Sequence, residues 1–294
     1  LRRLSSTYRE RADSKEQDEK RDLWRNLHNL EDTRPAIIIL GGNAFKYEIF
    51  TDDRLKCVDP LFRDIEFVLR RKLLSDCLGD DTIIEPWITL PSSYRIAPNE
   101  IWGKKGEKKQ IGDSWITEPV LKDLNDIKLL RTPSHEINEA ATLDNYEKLH
   151  SAIGDIIHIN IDRSPSLKGF GADLSFWLGQ LRGIEQILWD LMDCPEKMHE
   201  LCRTLLAGIL KQQQEADDAG DWNMGDQNIQ ACAYGGGVKD AAPAPAPGGR
   251  RDIWCFLASQ EFDQVSPEMH DEFLVQYQAQ VASHFGAVAY GCCE

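Results

Sequence analysis

From Asp155 onward the chain alternates apolar strand-like runs with helical stretches, and that alternation does most to limit the folds open to it. Asp155-Ile156-Ile157-His158-Ile159-Asn160-Ile161 is the clearest strand. Helical spacing follows over residues 172–190 and 195–216. Pro195 stands at a first-turn position, where its missing N–H costs nothing. Asp252 to Leu257 reads as another strand. Ser266-Pro267-Glu268 then opens a helix running to about His284, with Ser266 as its cap and Pro267 just inside. Gly286 stops that helix, and Ala287-Val288-Ala289 begins a last strand. Strands separated by helices of this length imply a parallel sheet.

The first half fits the same scheme less regularly. Residues 1–30 are dense in charge, with sparse apolar points at Leu4, Tyr8, Leu23, Trp24, Leu27 and Leu30, as in one or two amphipathic helices packed on a body. Pro35 leads into Ala36-Ile37-Ile38-Ile39-Leu40, a buried strand stopped by Gly41-Gly42. Residues 59–78 carry Phe62, Ile65, Val68, Leu69, Leu73 and Leu74 at helical spacing, and Thr82-Ile83-Ile84-Glu85 reads as a second strand. A long loop is expected over 91–114, a helix over 118–130 and another over 142–153, capped by Thr142 and ended by Gly154. Residues 233–251, rich in Gly, Ala and Pro, read as a loop or extended spacer.

The 294 residues suffice for a large core. The formal net charge of -15 disfavours nucleic acid and anionic membrane surfaces, both of which attract basic patches. No apolar run approaches the roughly 20 residues that a membrane helix needs. Eight cysteines lie scattered without the spacing of a disulfide framework, so a reducing cytoplasm is expected. Leu1-Arg2-Arg3-Leu4 has neither an initiator Met nor the apolar core of a signal peptide, so an incomplete N-terminus is expected. No G-x-G-x-x-G or P-loop marks a strand-to-helix turn, which leaves dinucleotide and nucleoside-triphosphate folds without support.

Polar residues gather just after the strands: Glu85, Asp162 and Arg163, Gln260 and Glu261, and finally Cys292-Cys293-Glu294. In a β/α barrel the active site lies on that carboxyl face. Gln260 and Glu261 are candidates for orienting a substrate or a metal-bound group. Asp162 and Arg163 could bind a substrate carboxylate or form a structural ion pair. Tyr234, ahead of three glycines, could face a ligand through its loop. Thiolates are soft ligands suited to zinc, which makes Cys292, Cys293 and Glu294 the metal candidates. Alternate strand residues share a face, so Cys292 pairs with Glu294 unless a bulge intervenes. Two buried strand-end cysteines are the alternative reading.

Several runs resemble the uroporphyrinogen decarboxylase superfamily. They are Phe256-Leu257-Ala258-Ser259-Gln260-Glu261 with Val265-Ser266-Pro267-Glu268-Met269 and Glu272-Phe273, and Leu181-Arg182-Gly183 with Leu188-Trp189-Asp190-Leu191-Met192-Asp193-Cys194-Pro195-Glu196. Glu118-Pro119 with Asp126-Ile127 and Leu129-Leu130 is similar to a segment that precedes a barrel strand there. The resemblance covers residues 115–294. It implies a (β/α)8 TIM-type barrel over 35–294, C-terminally incomplete, behind an N-terminal helical extension of residues 1–34. The decarboxylase branch carries an Arg-rich N-terminal run of the Met-Arg-Gln-Ala-Gly-Arg type, absent here. The other branch, cobamide-dependent methyltransferases, binds zinc through a His-x-Cys pair and a later Cys. Tyr290-Gly291-Cys292 stands in that place, with Tyr for His.

The resemblance therefore implies a methyltransferase working between a corrinoid protein, which carries the corrinoid as a partner, and a small-molecule methyl acceptor or donor of thiol type activated by zinc. Two other readings stay open. A decarboxylase acting on a porphyrinogen-type polycarboxylate would need cationic side chains, for which Arg163, Arg182, Arg250 and Arg251 are available. A non-catalytic barrel binding a small molecule would need neither metal nor turnover.

Overall fold

The computed structural model describes residues 1–39, 41, 45–51, 53–103, 108–111, 114–223, 225, 234–244 and 248–291. The chain divides into two compact units, each assembled from three separate stretches of sequence.

Unit 1 comprises Leu1–Ser93, Asn138–Arg163 and Asn223–Pro247. Its helices are α1 (Arg2–Ala12), α2 (Lys15–His28), α3 (Pro60–Leu78) and α4 (Glu139–Ile153). Strand β1 (Trp87–Pro91) pairs in parallel with a later strand, His158–Asp162. The apolar spacing seen over 59–78 is that of a helix because Ile65 and Leu69 face inward, meeting Tyr8 and Ala12 of α1, Leu149 and Ile153 of α4, and Ile88, Leu90 and Ile159 of the strands. Asp59 caps α3 by accepting the Phe62 N–H, with Pro60 at the first helical position. A second buried group joins Trp24, Ile83 and Tyr234.

Unit 2 comprises Tyr94–Ile137, Ser164–Trp222 and Gly248–Glu294. It contains the antiparallel pair β2 (Lys108–Ile111) and β3 (Ser114–Thr117), which lies at the end of the stretch expected to be a loop. With His158–Asp162 of unit 1 numbered β4, the helices of unit 2 are α5 (Leu174–Arg182), α6 (Ile184–Asp193) and α7 (Pro195–Ala219). Strands β5 (Trp254–Leu257) and β6 (Ala287–Tyr290) run parallel, with Leu257 opposite Tyr290. The connection between them carries α8 (Pro267–His270), a π-helical turn (Asp271–Val275) and α9 (Gln276–Ala282) in direct succession. Ser266 caps α8, as its sequence position implies, by accepting the Met269 N–H.

The expected (β/α)8 barrel is not formed. Among the described residues strands pair only in twos, and no third strand joins either parallel pair. A barrel needs every strand to spend both edges on neighbours. Here alternate N–H groups of the runs at 36–39 and 82–85 go to side chains instead. Ile37 donates to Asp81, Ile39 and Thr82 to Asp80, and Ile84 to Gln17. One backbone bond, from the Asp81 N–H to the Ile37 carbonyl, joins the first run to the residue just ahead of the second. Leu40 and Gly42 lie outside the described residues.

Smaller departures have local causes. The strand expected from Asp155 begins at His158, because the Ile156 and Ile157 N–H groups still bond Ile153 as the chain leaves α4. Asn138 caps α4, while Thr142 accepts the Ser93 N–H from a position inside the helix. Over 118–130 the helix shrinks to a 3-10 turn, Leu124–Leu129, capped by Asp123. The helix expected over 172–190 is broken at Gly183, whose φ of 87° lies in the left-handed region. Among the described residues no helix is long and apolar enough to cross a membrane.

Two outcomes follow from these contacts. A Cβ at Gly183 would meet Pro119 Cγ at 2.7 Å on a backbone that side chains rarely adopt, so Gly183→Ala is expected to cost about 1 to 3 kcal/mol in chemical denaturation. Glu66 is buried, which alone would raise its pKa. Hydrogen bonds from the Cys57 and Lys56 N–H groups and from Arg70 outweigh burial and hold it at about 2, below its ordinary 4.5. A depressed folded-state pKa gives stability that is present above 4.5 and is lost as pH falls toward 2. Urea titrations of Glu66→Gln across that range should show a shallower acid loss than the parent chain.

Candidate functional site

In a parallel strand pair, the loops after both strands leave from the same end, and a ligand reaches side chains from both there. Unit 2 has this arrangement at β5 and β6. Beyond Leu257 the chain turns through Ala258 and Ser259 into a 3-10 turn, Gln260–Phe262. Beyond its partner Tyr290, Gly291 N–H donates to the Leu257 carbonyl at 3.0 Å and extends the ladder by one step. Gln260 is exposed and Glu261 half-buried. Glu261 lies along α5, close enough that a Cβ on Gly179 would stand 3.0 Å from its Cγ. Both predicted catalytic residues thus sit at the carboxyl end of β5. Cys292, Cys293 and Glu294, the predicted metal ligands, lie outside the described residues.

Behind that end runs a chain of hydrogen bonds. Asp173 is 2% exposed, and its carboxylate accepts from Ser175 Oγ at 2.7 Å, Phe176 N at 3.0 Å, Ala258 N at 3.3 Å and Gln278 Nε2 at 2.8 Å. Gln278 Nε2 also donates to the Ala258 carbonyl at 2.7 Å. On its other side Gln278 Oε1 lies 3.1 Å from the Tyr290 hydroxyl, which lies 3.0 Å from His270 Nε2. The His270 ring also neighbours Phe262, last residue of the turn that holds Gln260 and Glu261. Helical spacing alone places His270 on the helix that Ser266-Pro267-Glu268 opens. It missed this group because the contact joins residues 20 apart, whereas helical periodicity reports only local neighbours.

In unit 1 the predicted residues fall into separate places. Asp162 ends β4, and its carbonyl accepts the Ser92 N–H at 2.8 Å. Arg163 forks onto both oxygens of Glu139 at 2.7 and 2.8 Å, so the ion-pair option is the one seen, with Glu139 as partner. Tyr234 is buried, and its hydroxyl donates to Glu85 Oε1 at 2.6 Å. Arg21 Nη2 donates to the other Glu85 oxygen at 2.8 Å. Burial, then the Glu85 charge, push the Tyr234 phenol above its ordinary value, which keeps its proton in place. Burial works against the Arg21 charge too, but Glu85 outweighs it. Arg25 stacks its guanidinium 5.5 Å from the Tyr234 ring centre, and His28 Nδ1 meets the Tyr234 carbonyl at 2.6 Å. Tyr234 and Glu85, separate candidates in the sequence, are therefore one buried cluster.

Among the described residues no group of three His, Cys, Asp or Glu side chains could hold a metal ion. The described donors alone do not fit zinc, so zinc ligation turns on Cys292, Cys293 and Glu294. No family model, curated protein or solved structure matches the chain.

Removing one member of the buried cluster should be costly. Glu85→Ala leaves Arg21, whose side chain is 16% exposed, with only the exposed Asp18 as its carboxylate partner; the loss expected in denaturant titration is about 3 kcal/mol. Tyr234→Phe removes one neutral donor to a charged group and should cost less, about 1.5 to 3 kcal/mol.

Proposed function

We propose that the chain is a transferase working at the carboxyl end of β5 and β6, moving a methyl group between a corrinoid protein and a small thiol-type molecule. The carrying observation is the parallel β5–β6 pair. It brings the Gln260–Phe262 turn and the lead into Cys292 to one end of the unit. The residues that carry the superfamily resemblance lie on this same unit, on α5, α6, β5 and the helices after β5. The reading rests on those residues and that end, without the barrel.

The decarboxylase alternative draws less support. It needs free cationic side chains for a polycarboxylate. Arg182 is held by Asp190 at 2.6 Å in a buried pair and donates to the Leu121 and Lys122 carbonyls. Arg163 is paired with Glu139, and Arg250 with Asp217. Three of the four arginines considered for that role thus neutralise carboxylates of the chain itself.

In the proposed reaction Gln260 and Glu261 orient the small molecule, and Cys292 would hold a zinc ion that would activate its thiol. The test combines turnover with metal content. Methylcobalamin and a small thiol are mixed with the protein, demethylation is followed by absorbance, and zinc per chain is measured on the same samples. Demethylation that falls about tenfold or more in Cys292→Ser and in Glu261→Gln is expected. Zinc lost only in Cys292→Ser would assign the ligand. A folded protein that accelerates no demethylation with any of a panel of thiols would overturn methyl transfer.

A further inference from the structure

The hydrogen-bond chain behind β5 and β6 has a direction that can be read atom by atom. Gln278 Nε2 faces two acceptors, Asp173 Oδ1 at 2.8 Å and the Ala258 carbonyl at 2.7 Å. Only the amide nitrogen can serve both, so the amide orientation is fixed and Oε1 faces Tyr290. Tyr290 has one hydroxyl proton. Placed toward Gln278 Oε1, it makes the 3.1 Å contact a hydrogen bond. Placed toward His270, it would leave two oxygens lone pair to lone pair at that distance. The phenol oxygen then accepts from His270 Nε2 at 3.0 Å, which makes Nε2 the protonated ring nitrogen. Nδ1 of the neutral ring is left carrying a lone pair.

The position of this ring matters as much as its tautomer. His270 is half-buried at the end of α8, between Phe262 of the Gln260–Phe262 turn and Tyr290 at the end of β6. The ring thus borders the turn that carries Gln260 and Glu261 on one side and the last residue of β6 on the other. The carboxylate at the far end of the chain, Asp173, is saturated by four donors and is not available to move. Tyr290 and Gln278 thus transmit a fixed orientation from a buried anchor to a half-exposed imidazole. This is the arrangement a general base needs: one ring nitrogen oriented by a partner, the other presented to the substrate.

We propose that His270 is the proton acceptor of this site, with Tyr290 and Gln278 as its positioning residues, and that the group it serves is an S–H or O–H on the bound small molecule. The acceptor's proton moves to His270 Nδ1, its bonding pair stays on sulfur or oxygen, and the ring becomes an imidazolium. The choice of a thiol rests on the methyl-transfer reading. The tautomer and the site do not.

The experiment is long-range nitrogen–proton NMR on uniformly 15N-labelled protein, with His270→Asn to assign the ring. In the parent chain the neutral ring should be the Nε2–H form, with Nδ1 unprotonated. Tyr290→Phe, which removes one half-exposed hydroxyl, should mix the two tautomers while the other six histidines keep their signals. Added 2-mercaptoethanol should shift Nδ1 upfield in the parent chain, as expected when that nitrogen accepts a hydrogen bond. An Nδ1–H ring in the parent chain overturns the proposal without recourse to any variant. So does an Nδ1 signal that neither 2-mercaptoethanol nor a small alcohol moves. A shift with the alcohol alone keeps His270 as proton acceptor and removes the thiol. If the NMR results hold while no thiol supports demethylation, the base stands and methyl transfer falls.

Discussion

Unit 2 depends on one buried carboxylate. Asp173 begins α5 by capping it, ends β5 by taking the Ala258 N–H, and ties both to α9 through Gln278. A lone charge in so dry a place would cost several kcal/mol, and it is tolerated because four donors converge on it. Remove those donors and three elements lose their common reference point. The same device recurs in unit 1. Glu66 gathers two backbone N–H groups and Arg70, while Asp81 takes Arg34 and the Ile37 N–H. In a chain of net charge -15, buried acids close loops that a sheet would otherwise close.

That habit explains what could be read from the sequence and what could not. Helical periodicity located α3 and α7, and the Ser-Pro-Glu opening located α8, because the governing contacts lie within a few residues. The strand alternation at the end of the chain gave β5 and β6 and their parallel sense. Among the described residues, the barrel failed at 36–39 and 82–85. An apolar run says that a segment is buried and extended, but not whether its N–H groups meet a neighbouring strand or the carboxylate of Asp80 or Asp81. Local composition does not record that choice.

The candidate site divides in the same way. Gln260 and Glu261 were legible because they follow a strand whose carboxyl end could be predicted. Tyr234 and Glu85 were each marked, but their 2.6 Å hydrogen bond joins residues 149 apart and had no local signature. His270 carries no local mark beyond its place on a helix. The π-helical turn at Asp271–Val275 follows it, and the Tyr290 hydroxyl holds it, so its surroundings come from tertiary structure alone.

The interleaving of the two units has a consequence for how the chain comes off the ribosome. Unit 1 takes its last stretch from residues 223–247, and unit 2 its first from residues 94–137. Neither can be completed by folding the chain in the order in which it is made. Helices α1 to α3 must wait for Tyr234, made 156 residues after α3 ends at Leu78, and until then the Glu85 and Arg21 pair lacks its cover. Domains made of continuous sequence can fold one after another during translation. This chain instead holds two unfinished cores at once, with long loops still to close. Its solubility in a cell would therefore respond to translation speed and to chaperones that shield nascent apolar surface, even under conditions where the finished molecule is stable.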